Sequence, residues 1–254
     1  MTPHRLIGMV HLGPLPGAST YNGDLQAVID AAAADAAALA DAGFDAVMVE
    51  NFGDAPFFTD DVPKITVAAM TRAVDTVADA GLPVGVNVLR NDALAALSIA
   101  AATDASFVRV NVLSGTMFTD QGPIVGQAAD VARFRAQHCQ DVAVMADAFV
   151  KHATPPAGLS LEDAAHDLSE RSGADAIIVS GSGTGAATAL EDLTAVADQT
   201  TLPVYVGSGV TAESVAKLLT VADGVIVGTA TKPEGQIAAP VDLELATAIV
   251  NSAR

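Results

Sequence analysis

The stretch AGFDAVMV at residues 42–49 decides the fold class, because a small residue and an aspartate lead directly into an apolar, largely β-branched run. The same pattern recurs as ASFVRV (105–110), GADAIIV (173–179) and ADGVIV (222–227). Short continuous apolar runs of this kind indicate strands that are buried on both faces, as in a parallel sheet.

A second pattern alternates with the first along the chain. GLPVGV (81–86) is matched by TLPVYV (201–206), and the weaker runs DVAV (141–144) and LIGMV (6–10) fill the remaining intervals. The two patterns together predict eight short strands.

Alanine-rich stretches with helical periodicity separate the predicted strands. Strict alternation of strand and helix implies parallel pairing with right-handed crossovers, and eight such units close into a (β/α)8 TIM barrel. An open, doubly wound sheet is the alternative. Since 254 residues is a typical barrel length and no linker interrupts the chain, we expect one domain over residues 1–254. The predicted helices cover residues 24–41, 63–80, 92–102, 128–138, 161–172, 188–198, 212–220 and 241–252.

Composition excludes several classes of protein. No uninterrupted run of about 18 apolar residues occurs and the start lacks a signal-peptide pattern, so we expect a cytoplasmic protein without a membrane span. The net charge of −18, from 30 acidic and 12 basic residues, argues against a nucleic-acid partner. The rarity of lysine favours a surface adapted to high salt over an ordinary acidic one. We expect a homo-oligomer, and we expect the single cysteine, Cys139, to be a small buried or partly buried apolar residue.

Loop lengths indicate which end of the barrel carries the site. Connections from helix to strand are short, whereas those after the first, second, fourth and fifth strands are long and rich in glycine, proline and polar residues. In barrels of this type the active site lies at the carboxyl ends of the strands. The longest connection, residues 113–127, is predicted to act as a lid.

The alternation of side chains along each strand predicts which ones enter the barrel mouth. Valines occupy the alternate, helix-facing positions, so polar residues on the other parity point inward. Barrel interiors are normally apolar, and a convergence of polar groups therefore favours a catalytic site. The predicted inward set is His11, Glu50, Asn87, Arg109, Asn111 and Asp147.

Members of this set have alternative roles. Glu50 is the best candidate for a general base or a metal ligand, and a divalent ion held by Glu50 and Asp147 is one interpretation. Arg109 either serves catalysis or forms a structural ion pair with Asp147 or Glu50. His11 either takes part in chemistry or is a satisfied histidine of a loop or the core.

Lys151 follows the fifth predicted strand at the rim of the barrel. A lysine in this position can form a Schiff base or bind phosphate. The alternative is a solvent-facing loop lysine.

Three glycine-rich loops predict a phosphate site. Glycine lets backbone N–H groups approach an anion closely, and the N-terminus of a following helix adds the positive end of its dipole. Barrels of this type bind phosphate in the loops after strands seven and eight. Glycines that merely form tight turns are the alternative. Neither a dinucleotide fingerprint, nor an NTPase phosphate loop, nor a structural zinc motif is complete. The candidate residues are Gly181 and Gly183 after the sixth strand, Gly207, Ser208 and Gly209 after the seventh, and Gly228 and Thr229 after the eighth.

The chain also resembles a known family over nearly its whole length, the BtpA/SgcQ family. The resemblance rests on IGMVHLGPLPG (7–17), ENFGDAPF (50–57), GVNVLRND (85–92), RVNV (109–112), DQG (120–122) and VKHA (150–153). It implies a barrel of the ribulose-phosphate-binding type. It also implies a link to photosystem I biogenesis in cyanobacterial members and to sugar uptake in a bacterial one, without an agreed reaction. The chain departs from the pattern at Ala148-Phe149, where the family has a more polar pair.

These observations predict an enzyme that binds a phosphorylated sugar or a related small metabolite. Proton abstraction beside a carbonyl (isomerase or epimerase) or carbon–carbon cleavage (aldolase) fits the candidate groups. Phosphoribosyl or nucleoside transfer is one alternative. A non-catalytic assembly factor for a larger complex is another, and it predicts a large exposed apolar patch.

Overall fold

A computed structural model describes residues 4–181 and 188–254 of the chain. Within these ranges the backbone forms eleven strands and eight α-helices. The strands are β1 (Leu6–His11), β2 (Ala46–Glu50), β3 (Val84–Asn87), β4 (Phe107–Val110), β5 (Thr116–Thr119), β6 (Gly122–Val125), β7 (Ala143–Asp147), β8 (Ala153–Thr154), β9 (Ala176–Val179), β10 (Val204–Val206) and β11 (Gly224–Val227).

Eight of these strands close into a parallel barrel. Their order around the barrel is β1-β2-β3-β4-β7-β9-β10-β11, and β11 pairs again with β1. They correspond one to one to the eight strands predicted from the sequence. The prediction of a (β/α)8 barrel is therefore confirmed, and the open sheet is wrong.

The helices alternate with the barrel strands. Seven of them agree with the predicted ranges to within two residues at each end. The helix predicted over 212–220 is shorter, because Thr211 and Ser214 hold a turn in which the Thr211 N–H donates to Ser214 Oγ at 2.9 Å. The helices are α1 (Leu25–Ala42), α2 (Lys64–Ala78), α3 (Ala93–Thr103), α4 (Ala128–His138), α5 (Leu161–Arg171), α6 (Leu190–Ala197), α7 (Val215–Leu218) and α8 (Leu243–Ala253).

The apolar residues divide into two main layers, as the alternation predicts. Outward valines such as Val47, Val86 and Val108 pack with the helices in one large cluster. Inward residues such as Met48 and Phe107 form a separate cluster that fills the barrel. The polar residues at the carboxyl ends of the strands therefore lie above a closely packed apolar layer inside the barrel. Cys139 is buried with a free thiol, as expected.

The aspartates in the recurring sequence pattern have a structural role. Asp45, Asp175 and Asp223 each stand just before a strand. Each accepts a hydrogen bond, at 2.8–2.9 Å, from the first or second residue of the preceding barrel strand. The carboxylates thus tie neighbouring strands together at the amino end of the barrel, away from the predicted site.

The predicted lid contains a β-hairpin. β5 and β6 pair antiparallel, and β8 adds a third strand beside β5. Met117 and Ile124 are buried on one face of the hairpin with Val112 and Val150. The long connection is therefore a small sheet anchored to the barrel rather than a structureless loop.

Within the described ranges, no helix combines the length and the apolar character needed to cross a membrane.

Candidate active site

The carboxyl ends of the first four strands place polar side chains side by side. Strand register pairs His11 with Glu50, Glu50 with Asn87, and Asn87 with Arg109. Three of them, His11, Glu50 and Arg109, are each separated by one residue from a member of the apolar cluster inside the barrel. Asn87 lies in register between Glu50 and Arg109 and shares their parity. Their side chains therefore point into the mouth, as the alternation predicts.

Arg109 and Asp147 form a buried, two-pronged ion pair. Arg109 Nε donates to Asp147 Oδ2 at 2.9 Å, and Arg109 Nη2 donates to Oδ1 at 2.7 Å. Asn111 Nδ2 and Ser180 Oγ donate to the same carboxylate at 3.0 and 3.1 Å. Burial alone lowers the pKa of Arg109, but the attraction of Asp147 outweighs it and the pKa is raised. Of the alternatives for Arg109, the structure thus shows an ion pair, and with Asp147 rather than Glu50.

Asn87 and Asn111 extend this network. Asn87 Nδ2 donates to Asn111 Oδ1 at 3.3 Å and to the Arg109 carbonyl oxygen at 3.1 Å. Among the described residues, Asn87 Oδ1 has no hydrogen-bond partner although it is buried. The two amides thus belong to the polar network above the apolar cluster, and Asn87 Oδ1 is free to accept a hydrogen bond from a ligand.

Glu50 and His11 lie beside this network without joining it. Glu50 is 4% exposed, and its Oε1 lies 3.8 Å from His11 Nε2. Burial, together with the charges of Lys232 and Lys151, lowers the pKa of His11 to about 3, so His11 is neutral near pH 7 and the contact is not an ion pair. Within the described ranges no lysine or arginine side-chain nitrogen lies within 4.0 Å of the Glu50 carboxylate oxygens. Glu50 is thus a buried carboxylate without a cationic partner.

A small recess of about 30 Å³ opens beside Glu50 and Lys151. This exceeds the roughly 10–15 Å³ that one water requires, so a small group can enter. The recess is lined by Met9, His11, Glu50, Arg109, Lys151, Gly207, Ser208, Gly209, Val210, Gly228 and Thr229. The structure therefore brings the glycine loops after β10 and β11 together with the predicted catalytic residues.

Close packing explains the glycines at two of these positions. A Cβ on Gly228 would lie 3.0 Å from His11 Cε1, and one on Gly207 would lie 2.5 Å from both Ile178 Cγ2 and Ser180 Oγ. No α-helix starts directly after β11, where Thr229–Thr231 forms a 3-10 turn instead. At Gly207 and Gly228 the backbone therefore packs too closely against neighbouring side chains to leave room for a side chain of its own. The helix N-terminus expected directly after the eighth barrel strand is not found at Thr229–Thr231.

In the loop after the sixth barrel strand, the backbone N–H of Gly181, which was predicted to bind phosphate, is used within the protein. The Gly181 N–H donates to Ser208 Oγ at 2.9 Å, so this donor supports the neighbouring loop rather than facing the recess. Gly183 lies outside the described residues.

A larger cavity of about 540 Å³ adjoins the recess, and the tip of the β5–β6 hairpin forms part of its wall. Glu50 and Lys151 line both spaces, so they stand at the junction. Burial, followed by the charge of Arg109, lowers the pKa of the Lys151 amine. The cavity is lined by Glu50, Phe52, Phe57, Leu89, Arg90, Asn111, Asp120, Gln121, Lys151 and His152.

Two buried basic residues, Arg90 in the cavity wall and Lys232 outside it, were not predicted from the sequence. Arg90 is 5% exposed and lies just beyond the end of β3, where strand alternation no longer applies. Lys232 is fully buried after β11, and its Nζ donates to Asp35 Oδ2 of α1 at 2.5 Å. Their scarcity could have indicated them, because the chain has only 12 lysines and arginines and both of these residues follow a barrel strand.

The described residues do not assemble a cluster of three or more histidine, cysteine or acidic side chains suited to a metal ion. Both oxygens of Asp147 already accept hydrogen bonds from Arg109, Asn111 or Ser180. Shared ligation of an ion by Glu50 and Asp147 therefore requires this network to rearrange.

Comparison with known proteins shows the family of the chain. A protein of Thermococcus kodakarensis, described only as uncharacterized, is 48% identical over 252 residues, covering 98% of this chain and 95% of that protein. The photosystem I biogenesis protein BtpA of Synechocystis is 45% identical over 243 residues, covering 95% and 85%. Thiamine phosphate pyrophosphorylase from Pyrococcus furiosus has a similar structure, with a TM-score of 0.62 over 99% of this chain and 96% of that chain, but at 12% identity it shows the fold alone. The sequence model of the BtpA family matches residues 2–254, and the chain therefore belongs to the BtpA family.

Proposed function

We propose that this protein is an enzyme that acts on the carbonyl group of a phosphorylated sugar or a similar small metabolite. One observation carries the proposal: a recess built by the glycine loops after β10 and β11 opens directly onto Glu50 and Lys151. Backbone N–H groups of such loops suit a phosphate. The carbon skeleton then extends from the recess into the larger cavity.

Glu50 is the proposed general base. It is buried and has no cationic partner in the described ranges, so its carboxylate is available to take a proton from a carbon beside a carbonyl group. Lys151 polarises the carbonyl oxygen, and the neutral imidazole of His11 can exchange a proton with the oxygen or with Glu50. These roles describe an isomerase or epimerase.

An aldolase is the second candidate, favoured by the lowered pKa of Lys151. An uncharged amine adds to a ketone carbon and expels water, which gives an imine that withdraws electrons during carbon–carbon cleavage. Borohydride reduces such an imine to a stable secondary amine. A substrate-sized mass increase on Lys151, absent in Lys151→Arg, supports the aldolase, whereas turnover without this adduct supports the isomerase.

The proposed phosphate site is tested by thermal shift. Sugar phosphates are compared with the same sugars lacking phosphate, on the wild-type protein and on Gly228→Val, whose added side chain starts 3.0 Å from His11. A ligand at 100 times its Kd adds about 2.7 kcal/mol to the free energy of unfolding. We expect protection by phosphorylated ligands only, and its loss in a folded Gly228→Val protein. Equal protection by both classes of sugar contradicts the phosphate assignment.

An assembly role remains a separate candidate, because the Synechocystis relative is named for photosystem I biogenesis. Phe118 and Val125 support it. They are 51% and 60% exposed on the outer face of the hairpin. This role does not require an open recess. Failure of every phosphorylated ligand, combined with a protein complex that Phe118→Ser disrupts, favours the assembly role.

A further inference from the structure

Arg90 is a deeply buried cation at the wall of the larger cavity. Its side chain and backbone are 5% exposed in total, and its backbone N–H donates to the Phe58 carbonyl oxygen at 3.0 Å. Its Nη2 donates to the Lys151 carbonyl oxygen at 2.5 Å. These two bonds fix both ends of the residue, so the guanidinium is held in place rather than extended into solvent.

Arg90 differs from the other deeply buried cations in the described part of the chain. Arg109 is paired with Asp147 and Lys232 with Asp35. No described carboxylate oxygen lies within 4.0 Å of its guanidinium nitrogens, so Asp147, Glu50 and Asp120 attract it only over longer distances. A buried charge without a close counter-ion is costly, since buried charges in folded proteins are normally paired, and an anionic ligand in the cavity would supply that partner.

The position of Arg90 indicates what that ligand is. Arg90 and Lys151 line the same cavity of about 540 Å³, and Lys151 also lines the recess assigned to phosphate. A guanidinium presents N–H groups in a fixed fork that matches a carboxylate or a phosphate. Asp120, also in the cavity wall, accepts a hydrogen bond from Gln121 Nε2, which partly satisfies its charge.

We propose that the substrate carries a second anionic group, a carboxylate or a second phosphate, which Arg90 binds on the side of Glu50 and Lys151 away from the recess. The inference rests on the proposed function, since the recess must hold the first phosphate. Arg90 is then a specificity-determining residue, and the reacting carbons lie between two anchored anions.

Two matched ligand pairs test this inference by calorimetric titration. Sorbitol 6-phosphate and 6-phosphogluconate differ by a terminal carboxylate, and ribulose 5-phosphate and ribulose 1,5-bisphosphate differ by a terminal phosphate. We expect the more highly charged member of one pair to bind the wild-type protein at least about tenfold more tightly, a difference of about 1.4 kcal/mol. The pair that shows the preference identifies the second group.

The variant Arg90→Gln should lose this preference, so that the two members of the pair bind with equal affinity. If Arg90→Gln does not fold, Arg90→Lys serves instead, because it keeps the charge but loses the fork and should still reduce the preference. Equal affinities in the wild-type protein, or a preference that survives in the Arg90 variant, overturns this inference and leaves the proposed function intact. Failure of all four ligands to bind counts against the phosphate recess itself, and this inference falls with it.

Discussion

At the scale of single residues, we expect the Arg109–Asp147 pair to stabilise the fold. Arg109 is 2% exposed and both of its bonds to Asp147 are short, so removal of the carboxylate leaves a buried, uncompensated cation. We expect Asp147→Ala to lower the free energy of unfolding by about 3–5 kcal/mol. Urea unfolding measures the loss.

Arg135→Ala, which breaks a partly exposed ion pair, is the control for this change. Arg135 also pairs with an aspartate, Asp175 at 2.7 Å, but both side chains are partly exposed. Its loss should cost only about 0–1 kcal/mol. Similar losses in the two variants would show that the Arg109–Asp147 pair has no special structural role.

His11 makes stability depend on pH. Its pKa in the folded protein is about 3, against 6.5 for an unperturbed histidine, because of burial and the charges of Lys232 and Lys151. Between these values the unfolded chain binds a proton that the folded protein does not, so stability falls as pH drops from 6.5 towards 3. Comparison of urea unfolding near pH 7 and near pH 4.5 should show a smaller loss in His11→Gln than in the wild-type protein. An identical loss in both proteins argues against a buried, neutral His11.

Strand alternation predicted the inward-facing residues but not how they pair. It placed Glu50, Asn87 and Arg109 in the mouth because a strand has a period of two. It could not tell whether Arg109 contacts Glu50 or Asp147, since that choice depends on side-chain rotamers. Arg90 was missed because it lies beyond the end of β3, where no period fixes its direction.

At the scale of the elements, the loops after β10 and β11 carry the proposed phosphate site. Gly209 has a φ of +70° and Gly235, outside the recess, has a φ of +69°. A Cβ on Gly235 would meet nothing within 4 Å. Gly209→Gln and Gly235→Gln should therefore both lose about 1–2 kcal/mol of stability from backbone strain. Only Gly209→Gln should also lose protection by phosphorylated ligands in thermal shift, and equal protection in the two variants would exclude Gly209 from the site.

The elements that the sequence predicted well are those with repeated local signals. Recurring apolar runs located all eight barrel strands, and the aspartates that precede three of them, Asp45, Asp175 and Asp223, hydrogen-bond to neighbouring strands. The hairpin within 113–127 was not predicted as strands. Its short strands bury few residues, chiefly Met117 and Ile124, and β6 contains Pro123, which weakens the strand signal.

At the scale of the whole molecule, the net charge of −18 predicts a response to salt. The Debye length falls to about 3 Å at 1 M salt, so repulsion among surface carboxylates is screened. The melting temperature should rise from low salt to about 1 M. A melting temperature that stays level or falls over this range would contradict a surface adapted to high salt.

In the whole barrel mouth, the proposed phosphate recess adjoins Glu50 and Lys151. The most direct measurement follows sugar phosphates in D₂O by proton NMR, for the wild-type protein and for Glu50→Gln. We predict that the wild-type protein exchanges the proton beside the carbonyl, or cleaves the adjacent bond, for at least one ligand that it binds. Glu50→Gln should keep its melting temperature and react at least about 100-fold more slowly, as expected on loss of a general base. Binding of sugar phosphates without exchange or cleavage in the wild-type protein, or equal rates in the two proteins, would contradict the proposed role of Glu50 as a general base.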